Sequence, residues 1–268
     1  MKSPLRKRLP RELKSEFGKY LVVFIMMAIT IGFVSGFLVA DGSMLRAYDD
    51  SFQKYNIEDG YFQTKKKLTP AQKEDIEKSD VKVYENFYIE QKLTNGSTIR
   101  FFKNRKEVDK VCLMKGKMPK KSGEIAVDRM YADNNELKVG DTVKSRKKTF
   151  RITGLVALSD YSALFQNNND TMFDAVKFGV AIVTDKDFEA LNQVKVQYNY
   201  AWIYDKKPAT EKKEKKMAED LMEDMADVVT IESFVPQYQN QSIHFTGDDM
   251  GSDRAMIVML LYIVMAIL

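Results

Sequence analysis

The stretch that decides the fold covers residues 116–154, GKMPKKSGEIAVDRMYADNNELKVGDTVKSRKKTFRITG. It contains the patterns G-x-x-P-x-x-x-G-E-I, then L-x-V-G-D-T-V, then F-R-I-T-G. Pro119 fixes its own φ, and Gly123 permits a sharp turn into a strand that we predict over residues 124–127. The stretch contains no His, no Cys and no phosphate-binding loop. We therefore predict that its special residues shape the backbone and fill a core, and that none is a nucleophile or a base.

The second half of the stretch predicts a short helix followed by a return strand. Asp128 is a candidate cap for the helix. We expect the side chains of Leu137 and Val139 to point the same way and to anchor the return strand. Gly140-Asp141 should form a two-residue turn. The residues that then share one face of a strand by their period of two are Phe150, Ile152 and Val156.

Outside this stretch, residues 21–40, LVVFIMMAITIGFVSGFLVA, form an uncharged run that predicts a transmembrane helix. Twenty helical residues rise about 30 Å, the thickness of the hydrocarbon core of a bilayer. Gly32, Ser35 and Gly36 lie within about one turn of each other, and small residues at that spacing let a second helix approach closely. A second apolar run, 255–268, is about six residues too short to span. We expect it to be the start of a second transmembrane helix, inside which the chain is cut; a buried or interfacial helix is the alternative.

The basic residues before the first apolar run set the expected orientation. Residues 1–20 contain seven basic and two acidic side chains, whereas the whole chain has a net charge of +4. Basic residues beside a first membrane helix hold that end in the cytoplasm. We therefore expect residues 1–20 in the cytoplasm, with 9–20 as an amphipathic helix on the lipid headgroups, and about 41–254 outside. A cleaved signal peptide is the alternative, although the apolar run is longer than a usual signal-peptide core.

Between the apolar runs, alternating apolar residues and turn signals predict an α+β domain of mostly antiparallel strands with short helices. Asn95-Gly96 predicts a hairpin between strands over 81–93 and 98–104. Thr69 and Pro70 predict the start of one helix, with Glu74 near its positive end. Further helices are predicted after the cap Thr184 and over residues 209–229. The remaining predicted strands cover residues 60–64, 108–116, 177–185, 198–205 and 228–236.

The aromatic side chains of the strand over 198–205 alternate, so Tyr200, Trp202 and Tyr204 should share one face. Packing in a core is the favoured interpretation, and contact with an apolar or lipid-like ligand is the alternative. The segment 167–174 predicts an exposed loop in which Asn169-Asp170-Thr171 matches a glycosylation acceptor.

The sequence lacks the usual constellations of an enzyme. No G-x-x-x-x-G-K-[ST], G-x-S-x-G or H-E-x-x-H occurs. The single His, His244, has no Cys partner for a zinc site, and we predict a satisfied or solvent-facing imidazole. Cys112 lies among apolar residues and predicts a buried structural thiol. Because Asp248, Asp249 and Asp253 lack the spacing of a calcium loop, they predict an acidic collar near the membrane. We expect no catalytic, cofactor-binding or metal-binding residue.

The predicted organisation has six segments along the chain. They are a cytoplasmic basic amphipathic segment, a transmembrane helix, a stalk, the extracytoplasmic domain, a second stalk and the start of a second transmembrane helix. Their predicted ranges are 1–19, 20–40, 41–59, 60–239, 240–254 and 255–268 respectively.

The succession of motifs resembles the extracytoplasmic core domain of MacB-like and FtsX-like ABC transporter permeases. The residues that carry the resemblance are Gly116, Pro119, Gly123, Glu124, Ile125, Val139, Gly140, Asp141 and Gly154. The segment SDYSALFQNNND, 159–170, also resembles large FtsX-like permeases of Gram-positive bacteria. The layout agrees with this family over essentially the whole chain, but the later spans and any coupling helix of such permeases are absent from it.

The resemblance implies a role that is not enzymatic. A separate cytoplasmic ATPase subunit would hydrolyse ATP, and the permease would pass the motion through its helices to the external domain, for export, for extraction of a lipid or lipoprotein, or for mechanotransmission. The implied partners are that ATPase, the lipid bilayer of the plasma membrane, and a second permease half in a dimer or pseudo-dimer. No cofactor and no nucleic acid are expected. The alternative is a membrane-anchored extracellular sensor or receptor domain of a signalling protein.

Overall fold

The computed structural model describes residues 11–12, 14–145, 148–191 and 193–267, with side chains as far as residue 263. The helices in this part of the chain are α1 (Phe17–Tyr55), α2 (Pro70–Glu77), α3 (Arg129–Asn134), α4 (Asp185–Ala190), α5 (Glu211–Val228) and α6 (Gln241–Ile267). The strands are β1 (Gly60–Thr64), β2 (Val81–Glu85), β3 (Tyr88–Lys92), β4 (Thr98–Lys103), β5 (Val111–Gly116), β6 (Glu124–Asp128), β7 (Thr142–Lys144), β8 (Thr149–Leu158), β9 (Phe178–Val183), β10 (Val196–Tyr204) and β11 (Ile231–Pro236). Single 3-10 turns cover Gln193–Lys195 and Gln237–Gln239.

The chain divides into two compact units. The larger unit, Asp49–Gly247, contains all of the strands described above and is referred to below as the domain. The smaller unit combines the described residues of Met1–Tyr48 with those of Asp248–Leu268. Within the smaller unit, Asp41 is buried and its carboxylate lies 3.9 Å from the guanidinium of Arg254.

The domain is built on one extended sheet. Its strands are hydrogen-bonded in the order β11-β1-β10-β3-β4-β9-β6-β8-β5, with β2 paired to β10 and β7 paired to β8. The pairs β4 with β9 and β6 with β8 are parallel, and the other described pairs are antiparallel. The predicted α+β class with mostly antiparallel strands is therefore confirmed.

Strand β10 joins two hydrophobic cores. Its first residues pair with β3, and its later residues pair with β1 and β2. The larger core lies on β3, β4, β6, β8 and β9, and includes Phe101, Ile125 and Phe150 without measurable exposure. The second core packs β1, β2 and β10 against α2 and α5. Burial of each such side chain stabilises the fold by about 1.5–3 kcal/mol, so both cores contribute substantially.

The alternating aromatic side chains of β10 lie in the second core, as the favoured interpretation predicted. Tyr200, Trp202 and Tyr204 are all buried. The Trp202 ring stacks on Phe234 with centroids 4.7 Å apart, and the Tyr200 ring stacks on Phe62 at 5.2 Å. Aromatic pairs in such offset geometry add about 0.5–1.5 kcal/mol beyond their burial. The face is thus filled by protein side chains.

Several local predictions need correction. The predicted strand over 81–93 is broken at Asn86 and Phe87, because β2 pairs with the later residues of β10 whereas β3 pairs with its first residues and with β4. Glu74 lies beyond the first turn of α2, where Gln72 instead completes a capping box with Thr69. Cys112 is half-buried, since it lies on β5 at the edge of the sheet.

Helix α1 is the one described helix that is long and apolar enough to cross a membrane. It has 39 residues, and its most apolar window has a mean hydropathy of 2.5. Residues 1–10 and 13, part of the predicted cytoplasmic amphipathic segment, lie outside the described residues. Helix α6 joins the predicted second stalk and the second apolar run in one continuous helix. The predicted limits of the membrane segments and stalks stay predictions.

Candidate functional site

Two glycines of the sequence motif allow strands β5 and β8 to touch. Gly116 and Gly154 are directly paired in the ladder. A Cβ on Gly116 would lie 2.3 Å from the carbonyl oxygen of Thr153, and one on Gly154 would lie 2.6 Å from that of Lys117. Gly116 also has a φ of +78°, which other residues adopt only at a cost. The close approach of the two backbones therefore requires glycine at both positions.

The loop that contains Pro119 is closed by two carboxylates. Glu124 accepts hydrogen bonds from the backbone N–H groups of Lys120 and Lys121, at 2.8 and 2.9 Å, and these bonds lower its pKa. Asp187, at the start of α4, accepts from the N–H of Gly123 at 2.7 Å. Backbone donors satisfied in this way hold the turn before β6 in one conformation.

Asp187 is the buried centre of a small, partly exposed network of hydrogen bonds. It also accepts from the hydroxyl of Ser122 at 2.6 Å and pairs with the ammonium of Lys148. Burial opposes ionisation of its carboxyl, but the hydrogen bonds outweigh it and the pKa is lowered. The motif thus binds α4 to the loop before β6.

The remaining motif residues also hold the backbone or pack in the core, except Val139. Ile125 lies in the larger core without exposure, and Asp141 accepts from the N–H of Lys138 at 2.8 Å. The N–H of Gly140 donates to the carbonyl of Ile152. Val139 is 38% exposed, so the prediction that it anchors the return beside Leu137 is wrong. The turn lies at Val139-Gly140, one residue before the predicted Gly140-Asp141, because the N–H of Asp141 donates to the carbonyl of Lys138. This turn exposes Val139, while Leu137 packs on the core.

A second set of polar residues, which the sequence motif does not include, forms a buried cluster. Its members are Glu58, Asn86, Asp109 and Asn240, and none is more than 5% exposed. Asp109 accepts from the N–H of Glu58 at 2.9 Å and from the amide of Asn86 at 3.3 Å. Asn240 donates to the carboxyl of Glu58 at 3.3 Å. We call these four residues the junction cluster.

Two buried arginines flank the junction cluster. Arg105 pairs with Asp160 at 2.7 Å, lies 3.8 Å from the Asp109 carboxylate, and stacks on the ring of Phe102. Arg100 donates to Glu90 at 2.6 Å. Buried ion pairs such as these are favourable only when well hydrogen-bonded, and removal of one partner costs several kcal/mol.

Arg100 is fully engaged by its surroundings. Besides Glu90, its guanidinium donates to the hydroxyl of Tyr161 at 2.5 Å and to the carbonyl of Gln166 at 2.8 Å. It lies 4.1 Å from the centre of the Tyr88 ring. This arginine therefore holds the segment that begins at Asp160 against β3 and β4.

The carboxyl groups of the cluster favour protonation. Burial, reinforced by the charges of Asp109 and Asp160, raises the pKa of Glu58 well above its ordinary value. Burial and the charge of Asp160 raise the pKa of Asp109 to about 7, although Arg105 opposes the shift. Desolvation disfavours a charge that is not fully compensated, which explains why both pKa values are raised.

The segment 159–174 connects the cluster to the start of α6. The hydroxyl of Ser162 donates to the carbonyls of Ser242 and Ile243, at 2.8 and 2.7 Å. The backbone N–H of Ala163 donates to the same carbonyl of Ser242. Asn168 accepts from the N–H of Gln241 and donates to the carbonyl of Gln239. The first turn of α6 is therefore held by this segment, which we call the clasp.

Aromatic contacts strengthen the clasp. The rings of Phe165, Phe173 and Phe245 pack edge to face, with centroids 5.3–5.6 Å apart. The predicted exposed loop over 167–174 is thus anchored at Phe173. Asn169, Thr171 and Met172 remain exposed at its tip.

The end of α1 is held by the loop before β5. The N–H of Asp109 donates to the carbonyl of Asn56 at 3.0 Å, and the N–H of Lys110 donates to that of Tyr55 at 2.9 Å. Asn56 and Asp109 have φ values of 51° and 47°, in the left-handed region where Asn and Asp are tolerated best. Non-glycine residues persist in this region when their surroundings fix them, and such positions cluster at functional sites.

A cavity of about 380 Å³ lies inside the domain beside the junction cluster. Amide, hydroxyl and charged side chains supply most of its lining. They include Glu58, Asn86, Arg100, Asp160, Asn199 and Asn240, together with Tyr61, Tyr88 and the clasp residues Gln166–Asn169. The size is in the range of small-ligand pockets, which begin at about 300 Å³.

The single histidine and the acidic residues before the second apolar run lie on helix α6. His244 lies on the first turns of α6, with its ring 6.3 Å from that of Phe52 at the end of α1. Asp248, Asp249 and Asp253 are exposed. Among the described residues, no group of three or more His, Cys, Asp or Glu side chains is arranged to hold a metal ion.

Sequence reasoning missed the junction cluster. Its acidic and amide residues are scattered from position 58 to 240 and match no spacing rule. The segment SDYSALFQNNND was singled out for its resemblance to a family, and its uninterrupted amides were the available signal that it lies against a polar site.

No protein-family description matches the chain, and no curated protein matches it. Solved structures that resemble it include the periplasmic region of MacB from Actinobacillus actinomycetemcomitans, at 13% identity over 65% of this chain and 87% of that chain, with a TM-score of 0.33. Another is the extracellular domain of the noncanonic ABC-type transporter YknZ from Gram-positive bacteria, at 11% identity over 65% and 98%, with a TM-score of 0.31. One neighbour is a periplasmic region and the other is an extracellular domain.

Proposed function

We propose that this chain is part of the permease subunit of an ABC transporter of the FtsX and MacB type. A separate cytoplasmic ATPase subunit hydrolyses ATP, and the permease converts that hydrolysis into movement of the domain outside the membrane. The chain itself is not an enzyme in this proposal. Two permease halves assemble around the ATPase as a dimer or pseudo-dimer in the plasma membrane.

The proposal is supported by the motif over residues 116–154 and by the order of segments along the chain. A basic segment precedes the apolar helix α1, and the positive-inside rule favours a cytoplasmic location for it. The domain then follows on the extracytoplasmic side. It leads into α6, whose second half is again apolar.

The observation that carries the mechanical part of the proposal is the junction cluster. Glu58 follows the end of α1, and Asn240 precedes α6 directly. Their side chains are hydrogen-bonded to each other, and the amide of Gln237 also donates to the carbonyl of Glu58. The two helix ends within the domain are therefore joined by buried polar contacts, which have few alternative arrangements at low cost.

Such contacts suit the transmission of force. A buried hydrogen bond that breaks without replacement costs about 1–3 kcal/mol, so the cluster resists separation of the helix ends. A displacement of α1 or α6 then moves the clasp and the loop before β5 with it, because both are hydrogen-bonded to those helix ends. In this proposal a displacement of either helix moves the whole domain and is not absorbed by a flexible linker.

The test is association with a nucleotide-binding subunit. The full-length protein is purified with candidate ATPase subunits, and ATP hydrolysis is measured in nanodiscs. The proposal expects a stable complex and an ATPase rate above that of the isolated ATPase subunit. If no ATPase subunit associates, and a signalling helix and kinase domain follow the second membrane segment, the chain is a receptor and the proposal is wrong.

A further inference from the structure

Three buried acceptor oxygens beside the cavity have neither a hydrogen-bond partner nor an ion-pair partner in the described part of the chain. They are Oε2 of Glu58, Oδ1 of Asn86 and Oδ1 of Asn199. The three residues are 2%, 4% and 7% exposed, and all three line the cavity. An unsatisfied buried polar atom costs about 1–3 kcal/mol, so each of these oxygens favours a donor that occupies the cavity.

Hydrogen bonds place the three acceptors in one neighbourhood. The carboxylate of Asp109 binds the backbone N–H of Glu58 and the side-chain amide of Asn86. The N–H of Asn86 in turn donates to the backbone carbonyl of Asn199. The bond to Asp109 also directs the nitrogen of the Asn86 amide to that carboxylate, which leaves its oxygen as the free acceptor.

The charge balance of the lining identifies the kind of donor. Arg100 is engaged by Glu90, and Asp160 is engaged by Arg105. Glu58 is the charged lining residue left without an ion-pair partner within the described residues. Its carboxyl contacts the neutral amide of Asn240 and the carboxyl of Asp109, and neither supplies a compensating positive charge. A buried carboxylate is stable when a cation compensates it.

We propose that the cavity binds a primary ammonium group, with Glu58 as its counter-ion and Asn86 and Asn199 as acceptors. An ammonium group has three N–H donors and no acceptor, which matches three unpartnered acceptors and no unpartnered cation. The remainder of the ligand lies against Tyr61, Tyr88 and the amides of the clasp. The same ammonium chemistry occurs in small free amines and at the amino terminus of a short peptide.

The site predicts a definite dependence on pH. Without ligand, burial raises the pKa of Glu58 and favours its protonated form, so binding of a cation is coupled to release of that proton. The charged and titratable groups that act on Glu58 are Asp109, Asp160, Arg105 and Tyr61. Affinity should therefore rise with pH until Glu58 is ionised in the free protein or the amine loses its charge.

The experiment is calorimetric titration of the full chain in detergent with two ammonium probes, ethanolamine and glycyl-glycinamide. Their N-acetylated forms have the same polar remainder without the charge and serve as controls. We expect saturable binding with a Kd of about 1 mM or tighter for at least one ammonium probe, and none for the acetylated forms. Binding of ethanolamine without binding of glycyl-glycinamide indicates that the ligand is a small free amine. Binding of glycyl-glycinamide without binding of ethanolamine indicates that the ligand is the amino terminus of a peptide.

The variant Glu58→Gln tests the counter-ion. Glutamine keeps the shape of the protonated acid, so the variant should fold, and the melting temperature followed by Trp202 fluorescence checks this. We expect its affinity for the ammonium probe to fall at least tenfold and its pH dependence to disappear. Glu211→Gln, at a side chain that is 72% exposed, is the matched control and should bind as the wild type does.

The proposal is overturned if neither ammonium probe binds, if the acetylated forms bind equally, or if Glu58→Gln binds as tightly as the wild type. None of these outcomes depends on an ATPase subunit. Failure of ammonium binding therefore leaves the proposed permease function intact, and failure of ATPase association leaves the ligand site intact.

Discussion

The side-chain amide of Asn240 donates a hydrogen bond to the buried carboxyl of Glu58 over 3.3 Å. The two residues are 182 positions apart, yet one follows the end of α1 and the other precedes α6. The chain thus leaves the domain next to the point where it came in. A protein that transmits motion between its helices and an outer domain needs such a connection, and the following predictions test its parts.

The first prediction concerns the clasp. Ser162→Ala removes the hydroxyl that is shared between two carbonyls at the start of α6, and we expect a loss of about 1 kcal/mol in the free energy of unfolding. Hydrogen exchange of residues 241–247 should become faster, because the first turn of α6 loses its anchor. Thr171→Ala, at an exposed position of the same segment, should change neither quantity. Equal effects of the two substitutions would contradict the clasp.

The second prediction concerns the glycine pair of the motif. Gly116→Ala places a methyl group against the carbonyl of Thr153 at a positive φ, and we expect a loss of about 2–4 kcal/mol in the free energy of unfolding. Gly251→Ala meets no neighbouring atom and lies within helix α6, so it should cause no loss. Denaturant titration followed by Trp202 fluorescence measures both. A wild-type midpoint for Gly116→Ala would show that the close approach is not required.

The third prediction concerns the pH dependence of stability. The pKa of Asp109 is about 7 in the folded domain, because of burial and the nearby Asp160, whereas an unfolded Asp titrates near 3.9. Between these values the folded state holds a proton that the unfolded state releases, so the free energy of unfolding decreases as pH rises from about 4 to 7. Glu58 contributes in the same direction, since its pKa is also raised.

Asp109→Asn removes one titrating group from this interval. Denaturant titrations at several pH values should show a flatter decrease for the variant than for the wild type. Asn86 can accommodate the new amide by presenting its free oxygen to it. Parallel pH profiles for the two proteins would mean that Asp109 does not hold the proton.

The fourth prediction concerns Asp187, whose pKa is shifted in the opposite direction. Asp187→Asn weakens the bonds from Ser122, Gly123 and Lys148, and we expect a loss of about 2 kcal/mol at neutral pH. Because the folded pKa is lowered, this contribution is present above the unfolded pKa and disappears as pH falls through the folded value. Glu189→Gln, 68% exposed on the same helix, is the control. A difference from wild type that persists in strong acid would argue against an ionised Asp187.

Much of the domain could be predicted because its signals are local. Thr69 and Thr184 cap their helices through their own side chains, Asp128 caps α3, and Asn95-Gly96 joins β3 to β4. Each of these interactions spans two to four positions, so a short window of sequence contains both partners.

The failures involve relationships that no short window contains. Cys112 has apolar neighbours in sequence, but its exposure depends on β5 being the last strand of the sheet. The β pattern breaks at Asn86 because β2 and β3 pair with different parts of β10. The junction cluster combines positions 58, 86, 109 and 240, and their proximity follows only from the completed fold.

The most direct test of the account is hydrogen exchange of the assembled transporter in nanodiscs, without nucleotide and with ATP trapped by vanadate. If the permease transmits motion through the junction cluster, exchange should change between the two states in peptides that cover residues 55–60, 105–110 and 237–247. Peptides from the larger core, such as residues 150–156, should exchange equally in both. Identical exchange at the cluster in the two states, in a complex that hydrolyses ATP, would contradict the account.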